Sequence, residues 1–160
     1  MKKTLTLICI IFAISFSNAQ TEKETIDFLN SMFSTHMNTF GGMNGLTIKS
    51  EIDSKSKNKE FIIEILVDNR LFEISRFSPK NINSIITNPA PSNEYRYIEI
   101  ISSKNSIFQS YPNLKETNYT NRLRLNFTTD SDELNRIKKA LMNLMKLNGA
   151  SFPNQNLFKN

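Results

Sequence analysis

The sequence has 160 residues, a net charge of +5, a single cysteine and a hydrophobic content of 39%, which is ordinary for one domain with a buried core. Without Lys2 and Lys3, which belong to an N-terminal segment expected to be removed, the net charge falls to +3, too small to mark a nucleic-acid-binding protein. Cys9 lies in the same segment, which excludes a disulfide within the mature chain.

The N-terminal segment has the three parts of a secretory signal peptide. A short basic start is followed by an apolar run over residues 5–16, and Ser17 and Ala19 are small residues at the positions that a signal peptidase accommodates. The run is shorter than the roughly 20 apolar residues that span a membrane. We therefore predict that residues 1–19 are cleaved off before Gln20 and that the mature protein is exported, periplasmic or secreted, with no transmembrane span.

The mature chain begins with an amphipathic helix, predicted over residues 21–37. Thr21 and Glu24 have the spacing of a capping box at its start, and Gly41-Gly42 ends it. Its apolar side chains share one broad arc: Ile26, Phe28, Leu29, Met32, Phe33 and Met37.

Strand patterns occupy the middle of the chain. Residues 46–52 and 122–127 alternate between apolar and polar side chains, whereas residues 61–67 are apolar at nearly every position, as in a strand covered on both faces. Asp68-Asn69 is a tight-turn signal. The remaining strand predictions are residues 71–77, 82–86, 95–101 and 106–110, of which the last is expected to pair back onto residues 95–101. Residues 111–121 are predicted to form a loop.

A second amphipathic helix closes the domain. Asp130 is the expected N-cap, with Glu133 completing a capping box, and Asn148-Gly149 is the expected C-terminal stop. One face carries the apolar side chains Leu134, Ile137, Ala140, Leu141, Leu144, Met145 and Leu147. We therefore predict that residues 20–150 form a single α+β domain and that residues 151–160 form a loosely held tail.

Hairpin-length connections between the strands imply an antiparallel sheet, and a helix at each end of the strand series implies an α+β layered fold. We predict an N-terminal helix, an antiparallel sheet of about six or seven strands curved into a sandwich, and a C-terminal amphipathic helix packed on it.

No catalytic or metal motif stands out in the mature sequence. His36 is the only histidine; it lies on the apolar arc of the first helix with no Asp or Glu three or four residues away, which favours a structural role. The acidic cluster Asp130, Asp132 and Glu133 is explained by capping and by the helix dipole. We predict no catalytic residue, no metal and no cofactor.

Two basic features are candidates for binding. Lys55, Lys57 and Lys59 alternate in an expected hairpin loop, where they could converge on a phosphate or sulfate, although charged loop tips are commonly only solvated. Arg122 and Arg124 on one strand, with Tyr95 and Tyr97 on another, could form a basic and aromatic surface that stacks bases. Such cross-strand pairs also stabilise sheets, and a nucleic-acid partner is not expected for an exported protein.

A run of short antiparallel strands closed by the helix of residues 134–147 (LNRIKKALMNLMKL) resembles the pleckstrin-homology-like architecture. That resemblance implies a curved sandwich with the helix at one end and a lipid-phosphate site in the loop between the first two strands, at Lys55, Lys57 and Lys59. The segment "ETIDFLN" and the pattern R-x-x-K-A-L-x-x-L-x-x-L are similar to those of small exported Bacteroidetes proteins of unassigned role.

These features favour an exported, non-enzymatic binding or interaction domain of the bacterial envelope, whose partner is an envelope protein or an anionic ligand. An alternative is a carrier that holds an apolar small ligand in a cavity between sheet and helices, since the chain contains 12 Phe and 6 Met. A third is a hydrolytic enzyme that uses His36.

Overall fold

The structure is a computed structural model that describes residues 21–36, 43–88 and 96–152. The expected signal peptide, Gly41-Gly42, Tyr95 and the tail after residue 152 lie outside the described residues. In chain order, the elements are α1 (Glu22–His36), β1 (Met43–Ile52), β2 (Lys59–Val67), β3 (Arg70–Phe77), β4 (Ile82–Asn88), β5 (Arg96–Ser102), β6 (Ile107–Tyr111), β7 (Glu116–Thr120), β8 (Arg122–Phe127) and α2 (Ser131–Leu147).

The strands form two antiparallel sheets. The larger sheet has the order β1-β2-β3-β6-β7, and the smaller sheet has the order β4-β5-β8. A helix at each end of the strand series and antiparallel pairing throughout the described part confirm the predicted α+β class. The described residues contain eight strands rather than six or seven.

The added strand belongs to one long hairpin that is bent across both sheets. Its outer half, β6 with β7, lies in the larger sheet, and its base, β5 with β8, lies in the smaller one. At the corner, only Asn121 separates β7 from β8, and its carbonyl accepts a hydrogen bond of 2.9 Å from the Ser102 N–H. A bend of this kind lets one long hairpin contribute a pair of strands to each of two packed sheets.

This bend overturns two predictions about the region. Residues 106–110 do not reverse onto the preceding strand, because β6 crosses the corner and pairs with β3, where Gln109 lies opposite Ser75. Residues 111–121 are not one loop, because β7 continues the hairpin. β7 has no buried apolar side chain, so main-chain pairing with β6 and the contact between the Phe108 and Tyr119 rings, 5.3 Å apart, hold it in the sheet.

The tight turn between β2 and β3 is as predicted. Asp68 and Asn69 both have left-handed backbone angles, with φ of 49° and 60°. Two consecutive residues of this kind define the type I′ turn, whose twist matches that of a hairpin.

Helix α1 begins with the predicted capping box and covers one sheet edge. The Thr21 N–H donates to the Glu24 carboxylate at 2.8 Å, and the Glu24 N–H donates to Thr21 Oγ1 at 3.2 Å. Farther along, the Asn30 amide donates to the Ile48 carbonyl at 3.1 Å, and its oxygen accepts from the Ile48 N–H at 2.8 Å. Asn30 thereby occupies main-chain groups on the free side of β1 that another strand would otherwise pair with.

Only one of the two hydrogen bonds of the predicted capping box forms at the start of helix α2. Asp130 Oδ1 accepts from the Glu133 N–H at 2.8 Å, but Glu133 does not reach back, because its carboxylate pairs with Arg136 at 2.6 Å. Gly149 has φ of 93°, as expected at the end of the helix. Leu147 is 52% exposed, which corrects its assignment to the apolar stripe.

One cluster of buried side chains joins both sheets and both helices. It includes Leu29 and Phe33 of α1, Leu141 and Leu144 of α2, Phe61 and Ile63 of β2, and Ile98, Ile100, Leu123 and Leu125 of the smaller sheet. The rings of Phe33 and Phe127 lie 5.8 Å apart and connect α1 to β8. Because the core is shared, displacement of one sheet would disturb the packing of the other.

A cleft between the two sheets as the candidate functional site

A cleft of about 120 Å³ opens between the two sheets, with β1, β2 and β3 on one side and β8 on the other. Its lining combines an apolar floor with a few polar groups: Leu46, Ile65, Phe72, Glu73, Arg124, Leu125 and Asn126. Convergence of a few polar groups on an apolar recess is typical of ligand sites.

A β-bulge in β3 shapes one wall of this cleft. Ile65 lies opposite Glu73 and Leu66 lies opposite Leu71, so Phe72 is an extra residue without a partner in the ladder. Bulges re-aim side chains and commonly occur near functional sites. Here the bulge lets two consecutive residues, Phe72 and Glu73, both line the cleft, although neighbours on a regular strand point to opposite faces.

Glu73 is the buried acid of the cleft. Its side chain is held by two neutral donors, because its Oε1 accepts from Ser75 Oγ at 2.7 Å and from Gln109 Nε2 at 2.8 Å. Ser75 is fully buried, and Glu73 is only 8% exposed. Glu73 has no Lys, Arg or His nitrogen within 4.0 Å in the part of the chain that the structure describes.

Two aromatic rings stand beside this carboxylate. Phe72 and Tyr111 meet edge to face, with ring centroids 5.9 Å apart. Burial raises the pKa of the Tyr111 phenol above its usual value, and the charge of Glu73, a side-chain hydrogen bond to Glu73 and the charge of Glu116 raise it further.

The opposite wall carries Arg124, whose guanidinium is occupied elsewhere. It donates to Glu99 Oε1 from Nη2 at 3.0 Å and from Nε at 3.3 Å, and it lies 4.1 Å above the centroid of the Tyr97 ring. Arg122 binds the other oxygen of Glu99 at 3.4 Å. The arginines and Tyr97 of the predicted basic and aromatic surface are therefore neighbours, and Glu99, only 4% exposed, neutralises part of their charge.

The lysine loop divides into two kinds of residue. Lys59 binds Glu22 at 2.6 Å, which ties the start of β2 to the start of α1, whereas Lys55 and Lys57 are exposed. Hydrogen bonds from Ser56 to Asp53 organise the turn and lower the pKa of the Asp53 carboxyl. Because the charge of Lys59 is paired with Glu22, Lys55 and Lys57 are the two lysines of the loop that carry an exposed charge, and the anion-binding role of the three lysines stays a prediction.

His36 is the last residue of α1 and is half-buried. Its main-chain carbonyl accepts from the Thr128 N–H at 2.8 Å, while its imidazole makes no hydrogen bond within the described ranges. A general base needs a second group to orient it, and no such group is hydrogen-bonded to the imidazole among the residues that the structure describes. The described residues also contain no group of three or more side chains that could hold a metal ion.

A second recess lies between the two helices. It has a volume of about 420 Å³ and is lined by Phe28, Ala140, Arg136, Lys139 and Asn143. The Arg136 guanidinium lies 5.7 Å above the Phe28 ring centroid and also pairs with Glu133. This groove is wide, and its charged groups lie on exposed helix positions, so it is less defined than the cleft.

No family model, curated protein or solved structure matches this chain. The resemblances to the pleckstrin-homology-like architecture and to small exported Bacteroidetes proteins remain predictions. None of the helices in the described part is long and apolar enough to cross a membrane.

Sequence reasoning singled out Arg124 but missed Phe72 and Glu73, which form the opposite wall of the cleft. In β3, Glu73 and Ser75 alternate with half-buried residues and precede Phe77, which marks them as inward positions of a strand. A polar pair at inward positions is the one signal that could have drawn attention to the site. Tyr111 and Gln109 lie near Glu73 because β6 pairs with β3, and no local sequence pattern predicts that pairing.

Proposed function

We propose that the protein is an exported, non-enzymatic binding domain of the bacterial envelope and that the cleft between the sheets is its binding site. The observation that carries this proposal is the buried carboxylate of Glu73 at the wall of an apolar recess. Ser75 and Gln109 fix its position, and a fixed polar group in an apolar site is what gives a binding site its specificity.

The dimensions of the cleft favour binding of one side-chain-sized group over the transport of an apolar ligand. Sites that enclose a small organic ligand typically have volumes of about 300–1,000 Å³, and the cleft has about 120 Å³. Its lining also includes the charged residues Glu73 and Arg124. A recess of this size suits a terminal group of a larger partner, such as an envelope protein.

Small probes of different chemistry test the binding function. We expect at least one of n-butylammonium, butyrate, butyramide and 1-butanol to shift the amide NMR signals of Phe72, Glu73 and Leu125 in a saturable way. Replacement of the exposed wall, Phe72→Ala, should weaken this binding. The matched variant Phe28→Ala, which alters the groove between the helices, should leave it unchanged.

The binding proposal is contradicted if all four probes leave the cleft signals unchanged. It is also contradicted if saturable shifts appear only at the helix groove, around Arg136 and Asn143. Circular dichroism of both alanine variants would establish that each retains its secondary structure.

Export is tested separately by the mass of the mature protein. If the full chain is expressed in a bacterium with a general secretion pathway, we expect the exported product to lack residues 1–19 and to begin at Gln20. A product that retains Met1, or one that stays inside the cell, would contradict the export proposal without affecting the cleft.

A further inference from the structure

The charge of Glu73 has no counterpart among the described residues. Buried carboxylates are usually paired with a cation, because loss of hydration disfavours the charged form. The two donors to Glu73, Ser75 and Gln109, are neutral and both bind the same oxygen, Oε1. They fix the position of the carboxylate but leave its negative charge uncompensated.

Arg124 does not supply the missing charge, although it lines the same cleft. Its guanidinium makes two hydrogen bonds to Glu99 and stacks on Tyr97. Movement of Arg124 towards Glu73 would break both hydrogen bonds and the ring contact. The guanidinium that lines the cleft is thus paired with Glu99 and not with Glu73.

The aromatic wall formed by Phe72, against which Tyr111 packs, is suited to a cation. Phe72 and Tyr111 stand next to Glu73, and Phe72 is 36% exposed at the mouth of the cleft. The faces of aromatic rings attract ammonium groups within about 6 Å of the ring centroid. Glu116, which lies opposite Tyr111 on β7, adds a second negative charge at this end of the sheet.

We infer that the cleft recognises a primary alkylammonium group, with its nitrogen at Glu73, its chain on the apolar floor and the rings of Phe72 and Tyr111 beside it. The floor consists of Leu46, Ile65 and Leu125. A volume of about 120 Å³ corresponds to about four water molecules at ~30 Å³ each, which suits a short alkyl chain. This inference rests on the proposed binding function of the cleft and names the chemistry of its ligand.

Titration with n-butylammonium and its neutral counterpart 1-butanol tests the inference in the folded mature protein. We expect butylammonium to shift the amide signals of Phe72, Glu73 and Leu125, and 1-butanol to bind more weakly. Glu73→Gln should weaken butylammonium binding by about tenfold to a hundredfold, because a hydrogen bond to a charged group is worth about 1.5–3 kcal/mol. The matched variant Glu64→Gln removes a half-buried carboxylate from the other face of the same sheet and should leave binding unchanged.

The outcomes separate this inference from the proposed function. If butyrate or 1-butanol occupies the cleft more tightly than butylammonium, the binding function stands and the ammonium inference is wrong. The inference is also wrong if butylammonium binds equally well to Glu73→Gln and to the unmodified protein. If no probe binds at the cleft, both proposals are contradicted.

A second arm distinguishes the two sources of such a group. Nα-acetyl-lysine N-methylamide presents the same ammonium on a peptide unit, as a partner protein would. Tighter binding of this compound than of butylammonium would indicate a lysine side chain of a protein partner. Equal or weaker binding of the blocked lysine would indicate a free small amine, and in both cases Glu73→Gln should weaken the interaction.

Discussion

The two most buried carboxylates of the described chain are placed in opposite ways. Glu99, on the outer face of the smaller sheet, is covered by Arg122 and Arg124 and is only 4% exposed. Glu73, at the cleft wall of the larger sheet, is 8% exposed and receives hydrogen bonds from neutral side chains alone. One buried charge is neutralised within the fold, and the other is held in place without being neutralised.

This contrast distinguishes a structural carboxylate from a candidate ligand-binding carboxylate. Removal of a partner from a neutralised buried ion pair costs stability, because the remaining charge is left uncompensated. A buried charge that is fixed but unpaired costs stability in the free protein and is relieved when a cation arrives. The following predictions test this contrast.

The largest effect on stability is expected from a substitution in the hydrophobic core that the two sheets share. Leu144 of α2 is fully buried, so Leu144→Ala should lower the free energy of unfolding by about 2–5 kcal/mol through the cavity it leaves. Urea denaturation followed by fluorescence and circular dichroism should give one transition. The control Leu147→Ala, at a position 52% exposed, should change stability by less than about 0.5 kcal/mol.

If Leu144→Ala had as little effect as its control, α2 would not cap a shared core. Two separate transitions would mean that the sheets unfold independently. The environments of Glu73 and Glu99 would then have to be considered in isolation from each other.

Neutralisation of Glu99 is expected to have the next largest effect. Glu99→Gln removes the charge that holds both arginines, and we expect a loss of about 1–2 kcal/mol in the free energy of unfolding. The value is below that of a fully buried pair because Arg122 and Arg124 are 60% and 54% exposed. Urea denaturation measures the change, and a loss below about 0.5 kcal/mol would contradict a stabilising role for this cluster.

Neutralisation of Glu73 should change the free energy of unfolding less than neutralisation of Glu99 does, and it should not lower it. The carboxamide of Glu73→Gln can still accept from Ser75 and Gln109, while the uncompensated charge disappears. We expect stability to stay the same or to rise by up to about 1 kcal/mol. A loss greater than that of Glu99→Gln in the same denaturation experiment would show that the fold already neutralises Glu73.

The smallest effect concerns the ionisation of Tyr111. Because the phenol pKa is raised in the folded protein, the folded state keeps this proton at pH values where the unfolded chain, with a pKa of about 10, loses it. The contribution to stability is therefore present below pH ~10 and is lost as pH rises through the folded pKa. Absorbance at 295 nm, with Tyr111→Phe subtracted, should place this ionisation above that of a free tyrosine.

In Glu73→Gln the Tyr111 ionisation should move back towards its usual pH, because one of the charges that oppose it is gone. Burial is the larger cause of the raised pKa, so the return should be partial. An unchanged titration midpoint would mean that the Glu73 charge does not affect the ionisation of the Tyr111 phenol.

Local sequence patterns predicted the helices and most strands because their causes are local. The capping residues Thr21 and Asp130 lie within a few positions of the groups they bind, and the alternation of residues 122–127 follows directly from the pleat of a strand. The Asp68-Asn69 turn is likewise specified by two adjacent residues with left-handed angles. Such features need no knowledge of what packs against them.

The candidate site could not be predicted in the same way, because it depends on contacts between distant residues. The bulge at Phe72 adds one residue to β3 and so changes which side chains face the cleft. The Glu73–Gln109 hydrogen bond requires the pairing of β3 with β6, which the corner at Asn121 makes possible. The ion pair of Lys59 could not be predicted locally either, because its partner, Glu22, belongs to another element.

The bent hairpin also bears on the order in which the chain folds. Only residues 112–115 separate β6 from β7, so the loop-closure entropy is small, and hairpins of this kind form in about 1–10 μs. The pairing of β3 with β6 joins segments that are much farther apart and is expected to come later. Because the early hairpin already contains a strand pair from each sheet, it can act as a common nucleus. We therefore expect both sheets to form in a single kinetic phase that starts from this hairpin. The corner would then set the angle between the sheets before either sheet is complete.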